Sequence, residues 1–152
     1  MTDFEAIGGE AGLRAIIADF TATVFSDTMI GFLFSGKNLK RIEELEYQFA
    51  ARHLGADVVY TGRTIRNAHR SSPIMGGHFM RRRQILVNTL MAHDVPADIA
   101  ARWIDHVDSL RQAVLGDADP TGCDHDEQRL RTEASSSRGE KKSLTGLPVL
   151  SE

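Results

Sequence analysis

The 152-residue chain lacks the features that define several common protein classes. A single cysteine, Cys123, cannot form an intramolecular disulfide, so nothing indicates an oxidising compartment. No apolar run approaches the roughly 20 residues of a transmembrane helix, and the acidic N-terminus lacks the basic and apolar regions of a signal peptide. The formal net charge of -3 gives no general attraction to nucleic acid or anionic lipid. We therefore expect a cytoplasmic protein with no nucleic-acid or membrane partner.

Signatures of common catalytic sites are also missing. The six histidines form no His-Glu-x-x-His sequence, and the single cysteine cannot form a Cys-x-x-Cys pair, so no standard zinc site is predicted. The chain has no Gly-x-Ser-x-Gly, Walker or Gly-x-Gly-x-x-Gly sequence, which excludes the commonest hydrolase, phosphate-binding and dinucleotide-binding classes. We predict no catalytic residue from these patterns.

Apolar residues recur at three- and four-residue steps through the first 116 residues, which is typical of amphipathic helices. Only Val58-Val59-Tyr60 is prone to form a strand, and it is too short to found a sheet. The spacing predicts an all-α domain over residues 1–116. Its longer helices are predicted over residues 13–25, 38–54, 79–93 and 99–114.

Residues 117–152 differ in composition from the rest of the chain. They contain no aromatic residue, no sustained apolar periodicity, five Lys or Arg and eight Asp or Glu. Such a segment cannot bury enough apolar surface to offset the entropy lost on ordering. We predict a polar, disordered C-terminal tail.

An ordered set of short motifs resembles the truncated haemoglobins, and group I most closely. The resemblance covers about residues 3 to 115, and its most specific part is Tyr60-Thr61-Gly62-Arg63 followed by Ala68-His69. The resemblance implies a globin-like, truncated two-over-two helical sandwich that encloses haem b. The remaining motifs are Phe4-Glu5-Ala6-Ile7-Gly8-Gly9-Glu10, Phe20, Phe32-Leu33-Phe34, Leu54-Gly55, Ile74, His78-Phe79, Leu86 and Leu90.

The resemblance also implies roles for particular residues. His69 corresponds to the proximal iron ligand, a role that requires a neutral imidazole, although an isolated histidine is more often an ordinary surface or core residue. Phe34 and Phe79 correspond to haem contacts, and an ordinary core position explains Phe34 equally well. Arg41 and Tyr60 fall where the family often anchors the haem propionates, and simple exposure is the alternative for Arg41.

The distal side, opposite the proximal ligand, departs from the family. Thr21 replaces a usual tyrosine, Ile42 and Glu46 stand where glutamines are common, and Leu45 occupies the place of a sixth-ligand histidine found in some relatives. Arg82 replaces an apolar residue. An Arg82–Glu46 pair across the pocket edge is one hypothesis, and separate orientation toward water is the other. Because Thr21 is a weaker donor than a tyrosine and glutamine cage, we expect faster dioxygen loss and relatively better carbon monoxide binding.

The resemblance implies oxygen binding or transport: reversible binding of dioxygen, carbon monoxide or nitric oxide at haem iron, with a reductase as a further partner. It leaves nitric oxide dioxygenase and peroxidase-like activities open. The alternative is a haem-free or haem-sensing interaction module on a globin fold, motivated by Glu46, Arg82 and the acidic tail. A purely structural bundle is disfavoured because it would not require the Tyr60, Gly62, Arg63 and His69 arrangement.

Overall fold

The computed structural model describes residues 1–70 and 74–116, and within these residues every regular element is a helix. None of the described helices is both long and apolar enough to cross a membrane. The all-α prediction is confirmed for this part of the chain, whereas the predicted tail over residues 117–152 lies outside it. The helices are α1 (Asp3–Ala6), α2 (Gly9–Ser26), α3 (Leu39–His53), α4 (Ile65–His69), α5 (Gly76–Ala92), α6 (Ala97–Ser109) and α7 (Arg111–Leu115), with a short 3-10 helix at Gly31–Phe34.

Helix α2 is the central element of the fold. It begins after Gly8, whose φ of +99° lies in the left-handed region that favours glycine. Its buried residues follow three- and one-residue steps and so form one stripe. Beyond the end of α2, Asp27 accepts hydrogen bonds from the backbone N–H groups of Met29 and Ile30, and Arg81 of α5 donates to the same carboxylate at 2.7 Å. The buried residues of α2 are Leu13, Ile16, Ile17, Phe20, Thr21 and Val24.

The helices pack so that α3 and α4 have different principal partners. Helix α2 packs against α3 and α5, and α5 in turn packs against α6 and α7. Helix α4, although next to α3 in the chain, packs mainly against α7. The apolar stripes of these helices form the core, and the separation of α3 from α4 leaves space for a cavity between them.

Two features of the helices differ most from the sequence-based prediction, an additional first helix and a division of the last one. Helix α1 was not predicted; it is capped by Thr2, whose side chain accepts from the Glu5 N–H while the Glu5 carboxylate accepts from the Thr2 N–H. The single last helix is divided, because the Ser109 hydroxyl donates to the His106 carbonyl and the chain turns at Leu110. Such side-chain bonds to the preceding turn often bend helices.

Two histidines stack where the end of α3 meets α6. The rings of His53 and His106 are parallel, with centroids 4.0 Å apart, and the His106 ring also lies 5.3 Å from Phe49. Burial, together with the neighbouring His53 charge, lowers the pKa of His106 to about 4. Burial also lowers the pKa of His53. Within the described residues the buried His106 Nε2 has no hydrogen-bond partner.

This histidine pair predicts acid sensitivity. Below about pH 6.5 these two imidazoles become protonated in the unfolded chain but stay neutral in the folded protein. The free energy of unfolding therefore falls as the pH drops toward the folded His106 pKa of about 4. The substitution His106→Phe keeps an aromatic ring but removes one titrating group. We expect it to recover about 1 to 2 kcal/mol of the stability that the wild type loses between about pH 6.5 and pH 4.5.

The measurement is urea unfolding followed by circular dichroism at a series of pH values. The difference in the free energy of unfolding between His106→Phe and the wild type at neutral pH measures any change in packing, and it is subtracted from the differences at lower pH. Parallel losses of stability in both proteins would show that the pair does not cause the acid sensitivity.

Candidate functional site

A cavity lined by residues of α2 through α7 lies between α3 and α4, and its empty space, including the opening to solvent, is about 940 Å³. Its walls are mostly apolar, as is typical of cofactor sites. Five of the ten residues assigned to the site from the sequence line it: Phe34, Glu46, His69, Phe79 and Arg82. The other lining residues are Ile17, Phe20, Ile30, Leu33, Lys37, Phe49, Ala50, Ile65, Ile74, His78, Leu86, Trp103, Val107, Leu110 and Val114.

His69 is held by its own short helix. The Thr64 side chain caps α4 by accepting from the Asn67 N–H, and one turn later His69 Nδ1 lies 2.9 Å from the Ile65 carbonyl oxygen. A carbonyl can only accept, so the proton of the neutral ring resides on Nδ1. Nε2 then carries the lone pair, and a hydrogen bond from the other ring nitrogen to a carbonyl is typical of histidines that bind metals.

The surroundings of His69 favour its neutral form. The residue is only 8% exposed, and its pKa is lowered to about 4, mainly by burial. The hydrogen bond to Ile65 opposes this shift, and the positive charges of Arg82 and Lys37 contribute to it. At neutral pH the imidazole therefore lacks the second proton that would block a metal ion.

A second histidine on the cavity wall has the opposite tautomer. His78 Nδ1 accepts from the Met75 backbone N–H at 3.1 Å, so in the neutral ring the proton resides on Nε2. This bond caps the start of α5, and the ring also makes an edge contact with Phe32 at 5.6 Å. Of the two histidines that line the cavity, His69 alone presents an unprotonated Nε2.

Another polar feature of the wall is an ion pair between α3 and α5. Arg82 Nη2 lies 2.5 Å from Glu46 Oε1, and the Arg82 guanidinium lies 4.9 Å from the centre of the Phe20 ring. The two side chains are 20% and 7% exposed, respectively. The Arg82–Glu46 pair considered in the sequence analysis is therefore present, and the alternative, that each side chain points separately to water, is wrong.

The remaining distal candidates do not line the cavity. Ile42 and Leu45 are buried elsewhere and are not part of the cavity wall. Thr21 is also buried, and its hydroxyl donates to the Ile17 carbonyl at 2.7 Å, so its hydrogen is already used within α2. Arg41 lies half-buried in the first turn of α3 and is not part of the cavity wall.

Tyr60 closes the loop between α3 and α4 rather than lining the cavity. Its hydroxyl donates to the Arg63 carbonyl at 2.8 Å, and burial raises its pKa so that it stays a donor. The ring stands edge-on to Phe49 and over Gly62, where a Cβ atom would lie 1.8 Å from the hydroxyl oxygen. The Tyr-x-Gly-Arg sequence thus fixes the path of the chain into α4.

Comparison with known proteins identifies the family. The sequence profile of the bacterial-like globins matches residues 2–116, which is most of the chain. The chain belongs to the bacterial-like globins. A group 1 truncated haemoglobin from Mycolicibacterium paratuberculosis is 28% identical over 107 residues, which cover 70% of this chain and 79% of the relative. A group 1 truncated haemoglobin from Tetrahymena thermophila is 28% identical over 115 residues, which cover 76% of this chain and 95% of that protein.

Solved structures agree with this globin assignment. The truncated haemoglobin of Tetrahymena pyriformis in its Fe(III) form superimposes with a TM-score of 0.71, over 76% of this chain and 99% of that one, at 22% identity. The predicted truncated two-over-two fold and the group I-like resemblance are both confirmed.

The cofactor of this globin family is haem with its iron, and the cavity fits that group. A neutral imidazole with an unprotonated Nε2 supplies the donor that iron requires. The apolar walls suit the faces of a porphyrin, and Lys37 adds a positive charge to the cavity wall. The predicted haem cofactor is therefore supported by the chemistry of the residues that are present.

Sequence reasoning missed most of the apolar wall. Ile17, Phe20 and Leu86 belong to stripes that the periodicity identifies as buried, but periodicity does not separate residues that face a cavity from residues that face another helix. His78 was recognised only as part of a motif. A histidine three residues after the cap residue of a helix, where it can accept from the cap N–H, was a usable signal of its role.

The loop geometry predicts a steric cost at Gly62. The substitution Gly62→Ala would push a methyl group into the Tyr60 ring, so we expect a loss of about 1 to 3 kcal/mol in the free energy of unfolding. Gly77→Ala is the matched control, because its Cβ would meet nothing within 4 Å in α5, and alanine favours a helix by roughly 0.5 to 1 kcal/mol. Chemical unfolding of the two variants and the wild type measures both effects. A Gly62→Ala protein as stable as the wild type would disprove this role of the loop.

Proposed function

We propose that this globin binds haem through His69 and reversibly binds a diatomic gas, namely dioxygen, carbon monoxide or nitric oxide, on the opposite side. The observation that carries the proposal is the orientation of the His69 proton. Nδ1–H is donated to the Ile65 carbonyl, so Nε2 is left with the lone pair that ligates iron. Bound haem iron supplies the open coordination position for the gas.

The residues around His69 support a stable ligand position. Burial excludes water from the ring and keeps it neutral, since charging it inside the cavity would be costly. Phe34 and Phe79 provide apolar surface on the cavity wall, and Phe34 is itself stacked on Phe25 with centroids 4.9 Å apart. These contacts would restrict the tilt of a bound porphyrin.

The polar residues available to a gas differ from those expected. Because the Thr21 hydroxyl is used within α2, it does not supply the weak bond that the sequence analysis considered. Arg82 lines the cavity instead and carries N–H donors that are always charged. A cytoplasmic location and electron supply from a reductase complete the proposal, and both follow from the resemblance.

Absorption spectra test the ligand assignment. His69→Gly should lose or strongly alter the ferrous carbon-monoxide spectrum, because the iron loses its proximal nitrogen, and added imidazole should restore it by occupying the space of the ring. The matched control is His78→Gly, which removes the other cavity histidine and should retain the spectral pattern of the wild type. A His69→Gly protein whose ferric, ferrous and carbon-monoxide spectra equal those of the wild type would refute ligation by His69. A wild type with no Soret band after reconstitution with hemin would refute gas binding and favour the haem-free module.

A further inference from the structure

The ion pair on the cavity wall uses only part of its hydrogen-bonding capacity. Glu46 contacts Arg82 through Oε1, while its second oxygen, Oε2, accepts no hydrogen bond from any described residue. Arg82 donates through Nη2, and its Nη1 and Nε groups make no bond within the described part of the chain. Among the described residues, the only fully buried side-chain nitrogen or oxygen without a partner is His106 Nε2. The remaining Glu46 and Arg82 atoms are therefore at least partly accessible.

The cavity therefore offers an acceptor and a donor side by side. Apart from Arg82 and His78, the residues of α2 and α5 that line the cavity are apolar, namely Ile17, Phe20, Phe79 and Leu86. Dioxygen, carbon monoxide and nitric oxide carry no hydrogen, so they can only accept and cannot use the Glu46 carboxylate. A small molecule H–X that carries a proton can use both members of the pair.

We propose that Glu46 and Arg82 adapt this site to small weak acids H–X whose conjugate anions bind ferric haem. The proposal rests on the proposed haem function. As H–X enters, the H–X bond breaks, its electron pair stays on X, and the proton passes to Glu46 Oε2. Arg82 donates N–H bonds to the resulting anion.

The balance of charges in the apolar cavity favours this proton transfer. Before binding, the negative Glu46 and the positive Arg82 neutralise each other at 2.5 Å. After proton transfer Glu46 is neutral, so the positive charge of Arg82 becomes available to the new anion. The number of charges in the cavity does not change, and no unpaired charge is buried, which would otherwise be costly.

The contact with Phe20 keeps the guanidinium in place during this exchange. The Arg82 guanidinium lies 4.9 Å from the Phe20 ring centre, within the range of a cation–π interaction. Phe20 is buried in the central helix α2 and so provides a fixed support. Arg82 can therefore exchange one anionic partner for another without moving its stem.

Two ligands of the ferric haem-loaded protein separate proton transfer from simple anion binding. Hydrogen cyanide is protonated at neutral pH, whereas azide is already an anion. Glu46→Gln keeps the shape of the side chain and an oxygen that can accept from Arg82, but its amide is no proton acceptor. We expect cyanide association to slow by about tenfold or more, while azide association stays the same or becomes faster because a negative charge is removed.

The C–O stretching frequency of the ferrous carbon-monoxide complex tests the charges of the pair directly. A mere loss of packing would not produce the changes expected for the two variants. In Glu46→Gln the positive charge of Arg82 is no longer offset, so the C–O stretch of the ferrous carbon-monoxide complex should fall in frequency. Arg82→Gln should raise that frequency and should slow both cyanide and azide, because both bind as anions. This second variant keeps the proposal testable if Glu46→Gln does not fold.

The matched control is Glu44→Gln on the same helix. Glu44 also pairs with an arginine, Arg14 at 2.9 Å, but it does not line the cavity, so the rates of both ligands should equal those of the wild type. Equal slowing of cyanide in Glu44→Gln and Glu46→Gln, or an unchanged cyanide rate in Glu46→Gln, would overturn the proposal while leaving the proposed haem function intact. A wild type that forms no haem complex would overturn both.

Discussion

The candidate site depends on keeping one imidazole, that of His69, buried, neutral and correctly oriented. Helix α4 is only five residues long, and the hydrogen bond from His69 Nδ1 to the Ile65 carbonyl spans its single full turn. A helix this short has little stability of its own, so its position is set by what holds its ends. The Thr64 cap, the loop closed by Tyr60 and the packing against α7 all serve to fix that ring.

The same requirement explains why consecutive helices have different packing partners. If α3 and α4 packed tightly on each other, the His69 side chain would be covered by the core. Instead α3 packs on α2 and α4 packs on α7, so that the ring lies on a cavity wall and is still only 8% exposed. A neutral histidine can be buried in this way at little cost, whereas a charged imidazole without a partner could not.

The sequence predicted the helices well because their apolar stripes are periodic, as in α2. It predicted contacts less well, because these depend on which stripes meet. The position of Thr21 in a motif says nothing of its bond to Ile17, and that of Tyr60 says nothing of its bond to Arg63. Local signals were nevertheless present, since the Thr2 and Glu5 capping box could have identified α1 without any knowledge of tertiary structure.

The ion pair between Glu46 and Arg82 shows why the sequence left two interpretations open. Its members lie on α3 and α5, and only the packing of both helices around α2 brings them together. Stability does not account for the pair, because well-packed apolar residues in place of a buried ion pair are often neutral or stabilising. An apolar wall would also suit a porphyrin and a diatomic gas equally well. A charged pair on the cavity wall that uses only part of its hydrogen-bonding capacity is therefore consistent with the proposed role toward a ligand.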